Sequence, residues 1–167
     1  MLTLYKILSF IIMPISYFVL VCIFMAMPMA FANPQILLGL AFMICLFLYS
    51  FFSFRFNSRA VIGNNPVKSN LKDWIKINSY VTFFQQVMLF ISIIFILTNQ
   101  SSVETQFRAT YNQMEAMQSS NLNLTYSQFI QFLMGFFKFI LIISAIYITH
   151  IILTWRLLRA YREYFTL

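Results

Sequence analysis

Long apolar stretches alternate with short polar connections along the chain. Four stretches hold no acidic residue and reach the length of roughly 20 residues that crosses about 30 Å of hydrocarbon as a helix. They cover approximately residues 7–31, 36–54, 80–98 and 129–155. A stretch that enters lipid must pair its backbone groups internally, and so it is helical whatever its β-branched content. The pattern predicts an all-α integral membrane four-helix bundle, formed as one transmembrane domain over residues 1–167.

The charges of the polar connections predict the orientation of this bundle. The loop over residues 55–79 carries five basic residues and one acid, whereas the loop over 99–128 carries one basic residue and two acids. With the two chain ends included, nine basic residues fall on one side of the predicted membrane: Lys6, Arg55, Arg59, Lys68, Lys72, Lys76, Arg156, Arg159 and Arg162. Cytoplasmic loops carry such an excess. We therefore expect both chain ends and the 55–79 loop to be cytoplasmic, and the 99–128 loop to lie outside.

The first apolar stretch has a second interpretation, as a cleaved signal peptide. Lys6, the apolar run and Ala30-Phe31-Ala32 before Asn33 resemble a secretory leader with its cleavage site. The run is longer than the 7–15 residues typical of such leaders, which favours a retained helix. The rest of the predicted topology is the same in both cases.

The long connection over residues 99–128 is predicted to contain a helix of its own. Ser101 and Glu104 have the spacing of a capping box, and Thr125 and Gln128 repeat that spacing before the last span. Apolar residues recur at helical intervals from the first box onward: Val103, Phe107, Tyr111, Met114 and Met117. These positions predict a short amphipathic helix that ends near residues 119–121.

Composition narrows the functional classes. Hydrophobic residues make up 61% of the chain and charged residues 9%, far from the values of soluble proteins. The net charge is +7, and most of the basic residues flank the apolar stretches. We therefore expect contact with lipid and no binding of nucleic acid. Cys22 and Cys45 lack metal-site spacing, and motifs of hydrolases, zinc sites and phosphate loops are missing. We therefore expect no metal, no cofactor and no enzymatic activity.

Basic and aromatic residues near the predicted inner interface are candidates for contact with lipid headgroups or an acidic partner. Three lysines recur at intervals of four residues before the third span, with a tryptophan on another face of the same segment. A second tryptophan and two arginines end the fourth span. The candidates are Lys68, Lys72, Lys76, Trp74, Trp155, Arg156 and Arg159.

Small and polar residues inside the third and fourth spans recur at alternating intervals of four and three residues, which is a seven-residue repeat. The third span has Thr82, Gln85 and Ser92 in this register, and the fourth has Gln131, Gly135 and Lys138. Small and polar residues at such intervals are typical of the seam between packed membrane helices. We therefore predict that these two stripes face the helix seam, and that their polar members contact a neighbouring helix or a partner protein.

Lys138 is the strongest single candidate for a functional residue, because placing a lysine at the bilayer centre costs at least about 2.5 kcal/mol. Three interpretations stand open. Its ammonium extends toward the outer headgroups, pairs with an acid of a partner subunit, or contacts an anion or substrate. No acidic residue lies in any predicted span to pair with it.

These features favour a small accessory or assembly subunit of a larger membrane complex, non-catalytic by itself. The alternative is a carrier or channel-forming homo-oligomer for a small or anionic solute. A quinone- or lipid-site protein that uses His150 and Gln85 ranks third, and a haem ligated by His150 has little support. The expected partners are lipids and other membrane subunits, and the expected location is the inner membrane of a bacterium.

Overall fold

The computed structural model of the chain describes residues 1–117 and 125–166. Five α-helices account for nearly all of them: α1 (Leu2–Ala32), α2 (Pro34–Phe56), α3 (Ser69–Thr98), α4 (Gln100–Met117) and α5 (Tyr126–Ala160). All except α4 are long and apolar enough to cross a membrane. The predicted all-α class with four such helices is confirmed. The chain is thus suited to span a membrane several times.

Two helices extend well beyond the predicted spans, α3 at its start and α5 at its end. α3 begins at Ser69 because the lysine-bearing segment before residue 80 continues the helix without a break. α5 extends to Ala160, five residues beyond the predicted span, and Arg159 lies on its last turn. The polar ends are helical because each span extends its backbone hydrogen bonding beyond the apolar core.

The helix predicted in the 99–128 connection is confirmed as α4, but its predicted start is wrong. α4 follows α3 after Asn99 alone, so Ser101 lies inside the helix and does not cap it. Glu104 instead pairs with Arg108 one turn further on, at 2.9 Å. The predicted end at residues 119–121 lies outside the described residues.

The chain forms two compact units, Met1–Gln86 with Ile146–Leu167, and Val87–Ala145. In the first unit, α1 and α2 form a hairpin whose turn is closed by Ile23, Ala30 and Leu40. The burial of these apolar side chains holds the hairpin at the end nearest its turn.

In the second unit, the apolar face of α4 packs on the first turns of α5. Tyr111 lies with its ring centre 5.5 Å from that of Tyr126 and 5.7 Å from that of Phe129. The predicted capping box at the start of α5 is confirmed, since Thr125 N–H donates to Gln128 Oε1 at 3.0 Å. The amphipathic pattern thus identified the face of α4 that is half-buried.

A tight segment connects α2 to α3 within the first unit. Asn57–Ile62 forms a π-helix, closed by a hydrogen bond from Gly63 N–H to the Ser58 carbonyl at 3.2 Å. A two-residue strand, β1 (Val67–Lys68), then pairs in parallel with β2 (Phe165–Thr166) after the end of α5. This pairing fastens the segment after α2 to the segment after α5.

Candidate functional site

A buried polar cluster lies where α1, α2 and the last part of α5 meet in the first unit. We call it the polar core, and it consists of Tyr5, Ser9, Tyr49, Ser50, Ser53, Tyr147, His150 and Thr154. Serine and threonine can occupy such positions because their hydroxyls also bond to a carbonyl one helical turn earlier. Ser9, Ser50 and Thr154 each make this bond at 2.8 Å.

His150 is the centre of the polar core and has a partner at each ring nitrogen. Ser9 Oγ lies 2.9 Å from Nε2, and the Tyr49 hydroxyl lies 2.7 Å from Nδ1. The Tyr5 ring stacks on the imidazole at a centroid distance of 4.8 Å, and Tyr49 also contacts Thr154 Oγ1 at 2.9 Å. One histidine thereby links α1, α2 and α5.

The protons around a neutral His150 can be counted. The imidazole ring and the hydroxyls of Ser9, Tyr49 and Thr154 each supply one proton. These four protons are available for five close contacts, two of which are to the backbone carbonyls of Tyr5 and His150. If Nε2 carries the ring proton, Tyr49 donates to Nδ1 and Ser9 donates to the Tyr5 carbonyl. If Nδ1 carries it, Tyr49 donates to Thr154 and Ser9 donates to Nε2. Each arrangement fills four contacts, so the network can exchange tautomers without gaining a charge.

Two further tyrosine hydroxyls complete the polar core. The Tyr147 hydroxyl lies 3.2 Å from Ser50 Oγ, and the Tyr5 hydroxyl donates to the Ser53 carbonyl at 3.3 Å. A buried tyrosine hydroxyl requires such a partner. The arrangement therefore stabilises the packing of three helices, and a metal or quinone could reach His150 only by displacing Ser9 or Tyr49.

From sequence, Ser9, Ser50 and Ser53 were expected at the helix seam and His150 near the cytoplasmic edge, but the tyrosines and Thr154 were missed. A usable signal was present in α5, where polar and aromatic residues recur at Ser144, Tyr147, His150 and Thr154 with intervals of three and four. All four are buried. The pairing of α5 with residues on α1 and α2 gave no local signal, because each bond spans about a hundred residues or more of sequence.

Several buried polar atoms in the described residues have no hydrogen-bond partner. They are Oδ1 and Nδ2 of Asn57, Oγ1 of Thr82 and Oε1 of Gln85. Thr82 and Gln85, two of the predicted contact residues, lie about one turn apart on α3. An unbonded buried polar atom costs about 1–3 kcal/mol relative to a bonded one.

Thr82 and Thr154 form a matched pair for testing these hydrogen bonds, since both are fully buried in a helix. Thr154→Val removes the bond to Tyr49 and should lower the free energy of unfolding by about 1 kcal/mol. Thr82→Val removes an unbonded hydroxyl and should raise it by up to about 1 kcal/mol. Thermal unfolding of both variants in one detergent would measure the difference, and equal destabilisation would contradict the hydrogen-bond assignment.

The predicted polar stripe of α5 does not face the seam of the chain. Gln131, Gly135 and Lys138 are exposed, and the buried face of the last part of α5 contains Tyr147 and His150 instead. The seam prediction for this stripe was wrong, because tyrosine and histidine, and not the small and polar residues of the stripe, form the buried face of this helix.

The predicted stripe of α3 is divided between buried and exposed positions. Thr82 is buried and Gln85 half-buried, as the seam prediction required. Ser92 is exposed and bonds to the carbonyl of Met88 in its own helix at 2.8 Å, so the seam prediction was wrong there. Contact of these residues with a partner protein stays a prediction.

Most of the candidate interfacial residues line two grooves on either side of the start of α3. Lys72, Lys76, Trp155 and Arg159 line a groove of about 670 Å³, the α3–α5 groove. Lys68 and Trp74 line a second groove of about 380 Å³ between α2 and α3, together with Arg55 and Arg59. Arg156 is exposed and lines neither of them.

Known chemistry offers little guidance to the activity of this chain. No group of three His, Cys, Asp or Glu side chains suited to a metal ion occurs among residues 1–117 and 125–166. Comparison with family models, curated proteins and solved structures finds no match.

Proposed function

We propose that this chain is an accessory or assembly subunit of a larger membrane complex, non-catalytic by itself, which binds its partner through the exposed polar face of α5. The observation that carries the proposal is the position of Lys138. It is exposed in the middle of an apolar helix, and it makes no ion pair within the described part of the chain. An isolated charge there is costly unless another molecule neutralises it.

A partner protein explains the charge of Lys138 better than extension of its side chain toward the outer headgroups does. From the predicted edge of the span at residue 129, the helical rise places Lys138 about 13 Å deep. A lysine side chain reaches roughly 6 Å when extended, which covers about half of that depth. The exposed neighbours Phe136, Phe139 and Ile142 keep the surroundings apolar. An acidic side chain of a partner helix would neutralise the ammonium at its own depth.

The same face of α5 is shaped for close helix contact. Gly135 lies about one turn before Lys138, and a Cβ added to it would meet nothing within 4 Å. Glycine at such a position allows two helices to approach closely, and Gln131 adds an exposed amide on the preceding turn. Close approach brings a partner carboxylate within reach of Lys138.

The proposed setting is the inner membrane of a bacterium, with both chain ends in the cytoplasm. The nine basic residues at one end of the predicted spans support this orientation. Gln131, Gly135 and Lys138 then lie in the outer half of the bilayer. The partner helix is accordingly expected to carry its acid in its own outer half.

Substitutions on this face should weaken the complex and leave the isolated chain folded. Lys138→Leu should reduce the amount of partner that copurifies in mild detergent at least tenfold, because it removes the ion pair, and Lys138→Arg should retain it. Gly135→Ala should also reduce copurification, since its methyl group fills the contact. Gly39→Ala on α2 is the matched control, because its added Cβ likewise meets nothing. Quantitative mass spectrometry of the purified complex measures all four.

Two results would contradict the subunit proposal. One is unchanged copurification of every partner in Lys138→Leu. The other is flux of small anions across liposomes that hold the purified chain alone, which would favour the carrier alternative.

A further inference from the structure

The α3–α5 groove brings together four basic side chains from α3, α5 and the turn that follows α5. Lys72 and Lys76 lie one turn apart near the start of α3, so they share a face. Arg159 ends α5, and Arg162 follows in the short 3-10 turn after it. The cavity volume of about 670 Å³ lies within the range of small-molecule sites.

Acidic groups do not neutralise these four cations within the described residues. None of them makes an ion pair there, and their sequence neighbours Asp73 and Glu163 do not line the groove. The Lys72 ammonium lies 5.6 Å from the ring centre of Phe165, a cation–π contact that positions it and leaves its charge. The groove therefore concentrates positive charge for which residues 1–117 and 125–166 supply no counter-charge.

One wall of the groove is aromatic and held in place. Trp155 Nε1 donates to Ser79 Oγ at 2.7 Å, and the Tyr80 ring centre lies 5.3 Å from that of Trp155. Tyr80 begins the apolar part of α3, whereas Trp155 ends that of α5. The groove thus straddles the predicted edge of the hydrocarbon, the level that tryptophan and tyrosine prefer.

We propose that the α3–α5 groove binds the headgroup of an anionic phospholipid. The phosphate lies among the lysines and arginines, where each guanidinium donates paired hydrogen bonds, and the acyl chains run along Tyr80, Trp155 and Leu158. The apolar wall distinguishes this ligand from a free phosphate, which would use only the basic part. It also favours a lipid over an acidic protein segment, because the wall continues the membrane-facing surface of α3.

Arg156 and Arg159 allow a direct test on one helix. Both are exposed arginines about one turn apart, and only Arg159 lines the groove. Phosphatidic acid would be titrated into the purified full-length chain in detergent, and bound lipid counted by native mass spectrometry. Arg159→Gln should weaken binding about fivefold, the factor for one cation near an anionic lipid surface, and Lys76→Gln with Arg159→Gln about 25-fold. Arg156→Gln should leave binding unchanged.

Four outcomes would overturn the headgroup site. Equal losses in Arg156→Gln and Arg159→Gln would show that net charge alone attracts the lipid, and equal binding of phosphatidylcholine would show no selectivity. Displacement of the lipid by inorganic phosphate at equal concentration would identify a free phosphate site. Crosslinks from Lys76 to an acidic protein, in membranes that contain phosphatidic acid, would assign the groove to a protein. Unchanged thermal stability of the variants ensures that binding is measured on folded chains.

Discussion

Replacement of His150 by leucine is expected to lower the free energy of unfolding by about 2–3 kcal/mol. The change removes two hydrogen bonds between helices, each contributing about 0.6–1.7 kcal/mol in a membrane protein. It also removes the ring that stacks on Tyr5, and such a stack contributes about 0.5–1.5 kcal/mol. Ser9 and Tyr49 keep the carbonyl of Tyr5 and the hydroxyl of Thr154 as partners, which limits the loss. Equilibrium unfolding in a mild detergent is the measurement.

Two further variants separate the hydrogen bonds of His150 from its bulk. Tyr147→Phe breaks one bond of the polar core, to Ser50, and should cost about 1 kcal/mol or less. His150→Gln restores a donor and an acceptor and should recover part of the loss. If His150→Leu unfolds at the same temperature as the natural chain, the proposed bonds of the ring do not hold the helices together.

Gly63→Ala is expected to destabilise the chain by about 1–3 kcal/mol, a typical cost of overpacking. The added methyl group would lie 2.9 Å from the Arg59 carbonyl oxygen and 3.2 Å from that of Ser58. Those two oxygens accept the bonds that close the π-helix, from Asn65 N–H and Gly63 N–H. Backbone strain is not the cause, because Gly63 has a φ of −85° that alanine adopts readily. Thermal unfolding would show the effect.

The other two glycines provide opposite controls. Gly39→Ala and Gly135→Ala place a methyl group in open space on a helix, where alanine is favoured over glycine by roughly 1 kcal/mol. Both variants should therefore unfold at a slightly higher temperature than the natural chain. A Gly63→Ala chain that behaves like them would mean that the π-helix accommodates the methyl group.

The four long helices could be predicted from sequence because lipid leaves an apolar segment no alternative to internal hydrogen bonding. The sequence did not, however, predict which face of each long helix turns toward its neighbours. Lipid and helix seam are both apolar, so hydropathy does not distinguish the face of α5 that bears Tyr147 from the face that bears Gly135. The partners of Tyr147 and His150 on α1 and α2 decide the matter, and they are far away in sequence.

Local chemistry predicted the ends of helices with mixed success, and competing partners explain the difference. Thr125 and Gln128 form the capping box that their spacing indicated. Ser101 and Glu104 have the same spacing, but Arg108 supplies a charged partner for the carboxylate. The helix also begins at Gln100, immediately after Asn99.

The interfacial residues were predicted as one group, whereas the fold separates them because α3 lies between the two grooves.

The two ends of the α1–α2 hairpin differ in when they can form during synthesis. The apolar cluster of Ile23, Ala30 and Leu40 joins residues close in sequence, so it can close once the second helix has emerged from the ribosome. The bond between Ser9 and His150 spans 141 residues and must wait for the last helix. Until then Ser9 and Tyr49 lack His150 as a partner. The newly made hairpin therefore exposes polar groups to chaperones or to the surrounding lipid before the last helix packs on it.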